Sequence, residues 1–317
     1  MSPIQVIADA AGNIYVLDAR DCAVKKYDAG GKFVTRWGRN GQGPGEFEYP
    51  GSISMDEEER IYIGSMGGNV SVFDSRGVFQ KSFRMEDRLE SMMAAVGGRL
   101  VMEYDDRFES GDQIKRIRRL AVEKAGQGRI VLYSQDQLPF GAVQNKNFRL
   151  EIPLFIRWDL SADGRLYVGT ADRYAIWAIA LDGRTLFEFT KDYDPQPVPS
   201  GILAAAVKQA AESGMFPMKD AAKNYEKSLA HYPVFNSIAV DEKGRIWVGL
   251  FQEEDPQREI ADSTFDVFSP DGHFLFTTIL DGMTIGRPYF RGGCLYRLRR
   301  NADGYVQAVR FRLAKEF

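Results

Sequence analysis

Ile238-Ala239-Val240-Asp241-Glu242-Lys243-Gly244-Arg245-Ile246-Trp247-Val248-Gly249 reads as two short apolar runs joined by an acidic turn that closes on a glycine. An acidic residue followed by Gly between apolar runs is a hairpin signal, because Gly takes the positive φ that such turns need. The unit recurs along the chain. Ile7-Ala8-Asp9-Ala10-Ala11-Gly12-Asn13-Ile14-Tyr15-Val16 is the first copy, and Ile53-Ser54-Met55-Asp56 runs into Arg60-Ile61-Tyr62-Ile63-Gly64. Trp158 to Gly169 is another clear copy, and Ala94 to Val101 a degenerate one. Each unit has a second half: Lys26 to Phe33, Val72 to Phe79, Ala180 to Phe187 and Phe268 to Phe274 align on their own Gly-containing turns.

One unit is therefore four short strands joined by tight turns, and repetition of such units predicts propeller blades. Six units are counted, with inner strands beginning near Ile4, Ser52, Met92, Ile156, Asn236 and Pro288. The expected fold is all-β, a six-bladed β-propeller occupying residues 1–317 as a single domain. Runs apolar on both faces, such as Ile61-Tyr62-Ile63 and Ile246-Trp247-Val248, fit a sheet covered by a neighbour on each side.

The stretch from about 198 to 233 breaks the repeat. Ser200 caps a predicted helix over Gly201 to Glu212, with Gly214 as its stop. Ala222, Tyr225 and Leu229 share a face of a second predicted helix, Lys219 to His231. The result is a two-helix insertion between blades four and five. It reads as cover for apolar surface, with a lid over the central pocket as the alternative. A long connection spans Gln135 to Pro153, and an acidic one, Gln252 to Ser263, interrupts blade five between its second and third strands. The last blade is expected to have three strands, leaving Tyr305 to Leu313 as an edge blunted by Arg310 and Arg312.

Trp37-Gly38-Arg39-Asn40-Gly41-Gln42-Gly43-Pro44-Gly45-Glu46-Phe47-Glu48-Tyr49-Pro50, just before the second inner strand, resembles the signature linker of NHL-type six-bladed propellers. The family's apolar-apolar-Asp-x-x-Gly-x-Ile-Tyr-Val strand pair follows it. The resemblance runs along the chain as a repeat, although Gly-Gln-Gly-Pro-Gly-Glu-Phe occurs once. It implies a fold more than a function. NHL propellers include protein-binding and RNA-binding platforms, and relatives of the same architecture include metal-dependent lyases and lactonases. Physically the linker needs no ligand: Gly41, Gly43 and Gly45 permit its bends, and Pro44 and Pro50 stiffen it. No helix follows, so the geometry of a phosphate cradle is missing.

The net charge of −3 favours neither nucleic acid nor an anionic membrane. No run of 18 apolar residues is present, so no spanning segment is read. Strand one begins almost at Met1 and no signal peptide is read, a start that suits an exported mature chain over a cytoplasmic one. Cys22 and Cys294 read as two separate buried thiols, with a bridge across the ring closure as the alternative. With only His231 and His273, three-His zinc chemistry is out of reach, and no Cys-x-x-Cys, Gly-x-Ser-x-Gly or P-loop motif occurs. The lactonase-like relatives hold a metal with Glu, Asn and Asp at the tops of inner strands. Here Asn236 alone is metal-compatible near those positions, Asp159 lying deeper in its strand, so no metal or cofactor is expected.

Residues opening inner strands are expected to face the axis. That puts Arg157, Asn236, Arg287 and Tyr289 at one channel mouth, with Tyr49 and Trp158 close by. Two guanidiniums there would prefer a carboxylate or phosphate. Basic tracts occur at Lys115 to Arg119 and across the last blade. Without a basic total or an aromatic stacking track, RNA is not favoured, and pairing of the last blade's arginines with the acidic first blade is the simpler reading. The function read is a non-catalytic binding scaffold that presents its axial face to a protein partner or a small anionic ligand. The alternative is a hydrolase or lyase, lactonase-like, acting at the channel mouth.

Overall fold

The computed structural model describes residues 2–85, 88–95, 98–110, 113–124, 128–137, 142–144, 149–151, 156–212, 230–251, 263–280, 284–301 and 303–313. Blade 1 is β1 (Pro3–Ala8), β2 (Ile14–Asp18), β3 (Ala23–Tyr27) and β4 (Phe33–Trp37). Blade 2 is β5 (Pro50–Met55), β6 (Ile61–Ser65), β7 (Asn69–Phe73) and β8 (Phe79–Arg84). Blade 3 is β9 (Arg88–Ala95), β10 (Arg99–Ser110), β11 (Gln113–Lys124) and β12 (Arg129–Gln137). A small hairpin follows, β13 (Ala142–Gln144) with β14 (Arg149–Glu151). Blade 4 is β15 (Ile156–Leu160), β16 (Arg165–Thr170), β17 (Ala175–Ala180) and β18 (Thr185–Thr190), followed by helix α1 (Ser200–Glu212). Blade 5 is β19 (Phe235–Val240), β20 (Ile246–Leu250), β21 (Ser263–Phe268) and β22 (Phe274–Leu280). Blade 6 is β23 (Thr284–Arg291), β24 (Cys294–Arg300) and β25 (Val306–Arg312). All pairings are antiparallel, and the first strand of each blade is innermost, with β1 lying against both β5 and β23 to close the ring. The chain is an all-β, six-bladed propeller.

The core is a ring of small cores, one at each blade interface. Tyr15 and Leu17 of β2 pack on Ile53 and Ile63 of blade 2, while Val16 between them packs on Tyr296 and Leu298 of blade 6. On β20, Ile246 and Val248 face blade 4, and Trp247 faces Phe290 and Leu295 of blade 6. A strand sends successive side chains to opposite faces, so a strand covered on both sides must be apolar throughout. Each such buried side chain contributes about 1.5–3 kcal/mol.

In blades 1, 2 and 5 the acid of the inner turn does structural work. Asp9 accepts from the Asn13 N–H (2.8 Å) and the Tyr15 hydroxyl (2.8 Å). Asp56 accepts from the Arg60 N–H (2.9 Å) and the Tyr62 hydroxyl (3.0 Å). Asp241 accepts from the Arg245 N–H (2.9 Å) and the Trp247 indole N–H (3.1 Å). One carboxylate thus closes the turn and holds the aromatic ring two residues into the next strand. Burial, with the nearby Asp56 carboxylate, pushes the Tyr62 phenol up to about 12. In blade 4, Ser161 replaces the acid and accepts from the Arg165 N–H (2.9 Å), while the Tyr167 hydroxyl donates to the Pro270 carbonyl of blade 5 (2.8 Å). Outer turns act as sockets. A Cβ on Gly77 (φ +85°) would lie 2.5 Å from the Trp37 ring of blade 1, and one on Gly272 (φ +87°) 2.7 Å from the Phe189 ring of blade 4. These turns need Gly for both conformation and space.

The linker turns back on itself through Glu46, which pairs with Arg39 (2.6 Å) and accepts from the Gly43 N–H (2.9 Å). Its Phe47 is buried between blades 1 and 2. The insertion differs from expectation. Only its first helix, α1, stands among the described residues. The second predicted helix, Lys219 to His231, falls largely on residues outside them. At its end, Ala230 and His231 are not helical: the Ala230 carbonyl accepts from the Val198 N–H (3.0 Å), and His231 bridges to Pro197. Proline spacing at the neck favours extended chain there, and this pairing satisfies its backbone. The connection 252–262 lies outside the described residues. Among the described residues the last blade has three strands, and no helix is long and apolar enough to cross a membrane. Cys22 and Cys294 are both free and buried, one at the β2–β3 turn of blade 1 and the other at the β23–β24 turn.

Candidate functional site

Most inner-strand side chains pack against the neighbouring blades rather than the axis. Each strand's pleat sends alternate side chains to the two neighbouring blades, and the channel is faced by the strands' unpaired backbone edges. Such edges need partners, and side chains of adjacent blades supply them. The Ile53 N–H donates to Gln5 Oε1 (3.0 Å), the Val240 N–H to Asp159 Oδ2 (2.7 Å), and Arg157 Nε to the Asn236 carbonyl (2.7 Å). The Tyr289 hydroxyl donates to the Ala8 carbonyl (3.2 Å) across the ring closure.

This arrangement scatters the residues that the sequence groups together. Arg157 is spent on the backbone of blade 5, and Asn236 is exposed beside it. Trp158 is buried against blade 3, its indole donating to Glu103 Oε2 (2.9 Å). Tyr49 is 71% exposed with φ +51°, at the start of β5, its carbonyl accepting from the Met66 N–H (3.1 Å). Only Arg287 and Tyr289 of the six line the cavity at the channel mouth.

Arg287 owes its position to a bulge. Ile285 pairs with Leu298 and Tyr289 with Tyr296, so β23 advances four residues while β24 advances two. Pro288 has no N–H for the ladder, and bulges re-aim side chains. The guanidinium passes the inner strand of blade 5 and reaches blade 4. Its Nη2 donates to the Trp158 carbonyl (2.5 Å) and to Asp159 Oδ1 (2.8 Å), and it lies 4.4 Å from the centre of the Trp158 ring. Its Nε is buried without a partner. Asp159 also accepts from the Leu160 N–H (2.7 Å). Burial pushes the Asp159 carboxyl up, against the opposing pull of Arg287 and the two backbone N–H groups. Beyond Trp158, Glu103 also accepts from Ser91 (2.8 Å) and Arg118 (2.9 Å), so a polar chain runs from blade 6 through blade 4 into blade 3.

Below this strap, on the side where inner strands turn into second strands, lies a cavity of about 310 Å³. Arg287, Arg291 and Tyr289 form one wall, Gln5 another, and Glu57, Ser161 and Glu242 reach it from the turns of blades 2, 4 and 5. Its deeper acids are committed: Asp56 pairs with Arg60 (2.7 Å), Asp241 with Arg245 (2.6 Å) and Asp159 with Arg287. Glu57 and Glu242 are exposed at the rim, where Glu242 accepts from the Gly293 N–H (2.9 Å). Arg291 has Glu59 at 4.0 Å. Among the described residues no group of three or more His, Cys, Asp or Glu side chains is arranged to hold a metal. Ser269, Asp271 and His273 meet on an outer turn of blade 5. Asp271 sits between them, accepting a hydrogen bond from the Ser269 hydroxyl and pairing with His273 Nδ1 (3.0 Å), so the imidazole does not activate the hydroxyl.

Sequence reasoning missed Gln5, Asp159, Glu242 and Arg291. Two signals were available: a proline directly after Arg287 in a strand, and an acid at Asp159 in an otherwise buried inner strand. The basic tracts are largely accounted for. Arg118 and Arg119 pair with Glu103 and Asp106, and Arg310 donates to the Ala29 carbonyl of blade 1 rather than to an acid there.

Residues 1–146 match a family described as 6-bladed beta-propeller. No curated protein matches the chain. Among solved structures, a putative exported protein from Bacteroides fragilis is similar, with a TM-score of 0.56 at 12% identity over 95% of this chain and 80% of that one. A member of a family of unknown function from Bacteroides vulgatus superposes with a TM-score of 0.56 at 9% identity, covering 98% of this chain and 92% of its own. A luciferin-regenerating enzyme does so with a TM-score of 0.51 at 13% identity, over 99% and 92%. At these identities the likeness is one of fold.

Proposed function

We propose that this chain is a non-catalytic binding propeller, allied to the NHL type by its linker, and that a small charged ligand enters the turn-side mouth of its channel. The observation that carries the reading is Arg287: a guanidinium set on a bulge, reaching across the channel above a cavity of about 310 Å³. That volume is in the range of small-molecule sites, about 300–1,000 Å³. Arg157 is engaged with the Asn236 carbonyl and Arg287 with Asp159, so the guanidinium offered to a ligand is that of Arg291. The deep acids of the cavity are held in ion pairs, which favours binding over acid–base chemistry.

The test is retention without turnover. The purified chain is incubated with a small-molecule extract of its expression host and desalted, and both fractions are quantified by mass spectrometry. A binding propeller retains one or a few compounds near stoichiometric amounts, and Ala162→Trp, which fills the rim, releases them. Depletion of any compound well beyond the protein concentration identifies an enzyme and overturns the reading. So does retention of nothing by the unaltered chain.

A further inference from the structure

We infer that the ligand of this cavity is a zwitterion of the amino-acid kind: a carboxylate and an ammonium on an apolar body. The inference rests on the binding reading above and names its ligand class. Both signs of charge meet in one small space. Arg291 enters from blade 6 and Glu242 from the neighbouring blade 5, where it accepts from the Gly293 N–H two residues from Arg291. Arg291 has only the marginal 4.0 Å contact with Glu59, which leaves most of its five donors for a ligand oxyanion. Gln5 uses its Oε1 on the Ile53 N–H, and its amide NH₂ is left as a second donor on the same side. Between the charged groups the lining includes the half-buried side chains of Met55, Leu160 and Val240. A simple anion in this space meets the rim carboxylates, and a simple cation meets the guanidiniums. Like charge held close in a poorly hydrated pocket opposes binding. A ligand carrying both charges on one carbon satisfies Arg291 and Glu242 together and lays its apolar body over the half-buried side chains.

Calorimetry on the whole chain tests this with four probes: leucine, N-acetyl-leucine, leucinamide and inorganic phosphate. Leucine is expected to bind tightest, with each singly charged probe weaker by about tenfold or more. Glu242→Gln should weaken leucine and leucinamide and leave N-acetyl-leucine unchanged. Arg291→Gln should weaken leucine and N-acetyl-leucine and leave leucinamide unchanged. Both positions are on the rim, and unchanged thermal unfolding verifies that each variant is folded. If N-acetyl-leucine or phosphate binds as tightly as leucine, and Glu242→Gln has no effect, the site is a plain anion site. That outcome overturns the zwitterion and leaves the binding propeller standing. No binding of any probe also overturns it, and the extract experiment then decides the broader reading separately.

Discussion

In blade 5 the inner turn is Asp241 to Arg245, and its acid gathers the turn's own N–H groups, the Arg245 guanidinium and the Trp247 indole. In blade 6 the matching turn is Arg291-Gly292-Gly293-Cys294, which has no acid at all. The consequences reach the channel. Blade 5 spends its turn carboxylate on its own hairpin. Blade 6 leaves Arg291 at 4.0 Å from Glu59 of blade 2 and, through its bulge, sends Arg287 across to blade 4. The contrast teaches where a repeat serves packing and where its loss serves a site. Polar groups that obey the period are consumed locally, and those that break it become available at the axis.

Four measurements would break or sharpen this contrast. The largest effect belongs to blade 5. Trp247 is 1% exposed and packs on Phe265 and Phe290, so Trp247→Ala is expected to cost about 4 kcal/mol in chemical denaturation. A loss below about 1 kcal/mol would mean that the repeat's aromatic is not a packing element. Next comes the blade 6 strap. Arg287→Met strands the buried Asp159 carboxylate and should cost about 3 kcal/mol, much of it recovered in the double variant with Asp159→Asn. Additive losses in that cycle would show that the two groups do not act as a pair.

A smaller effect is expected at the closure. Tyr289→Phe removes one hydrogen bond to the Ala8 carbonyl and should cost about 1 kcal/mol. In the unaltered chain, burial pushes the Tyr289 phenol up to about 12, so its ultraviolet ionisation should appear near that pH. The smallest effect distinguishes the outer turns. The Ser269 hydroxyl and His273 hold the Asp271 carboxyl below its usual 3.8. A depressed carboxyl contributes above its unfolded value, and the contribution is lost as pH falls through the folded value. NMR titration should therefore find Asp271 ionising below 3.8. The matching turn of blade 6 opens on Asn301, which accepts from the Tyr305 N–H (2.8 Å).

The readable part of this protein was local. Apolar runs and Gly-closed turns marked the inner strands near Ile4, Ser52, Met92, Ile156, Asn236 and Pro288, because each depends on residues within a few positions. The same reasoning placed α1 from its Ser200 cap. It did less well on the site, where it assumed that residues opening an inner strand face the axis. Trp158 and Arg157 show the limit of that assumption: neighbouring residues on one strand go to blades 3 and 5.

By itself, then, the amino-acid sequence determined the blade, its turns and the number of blades, since these follow from the two-residue period and the conformational needs of glycine. The tertiary structure alone decided which side chains meet. Arg287 and Asp159 lie 128 residues apart, and Tyr289 and Ala8 lie 281 apart. No local pattern encodes such pairs. They exist because six sheets close into a ring, and closure brings the backbone edges, the bulge and the turn carboxylates to a common axis.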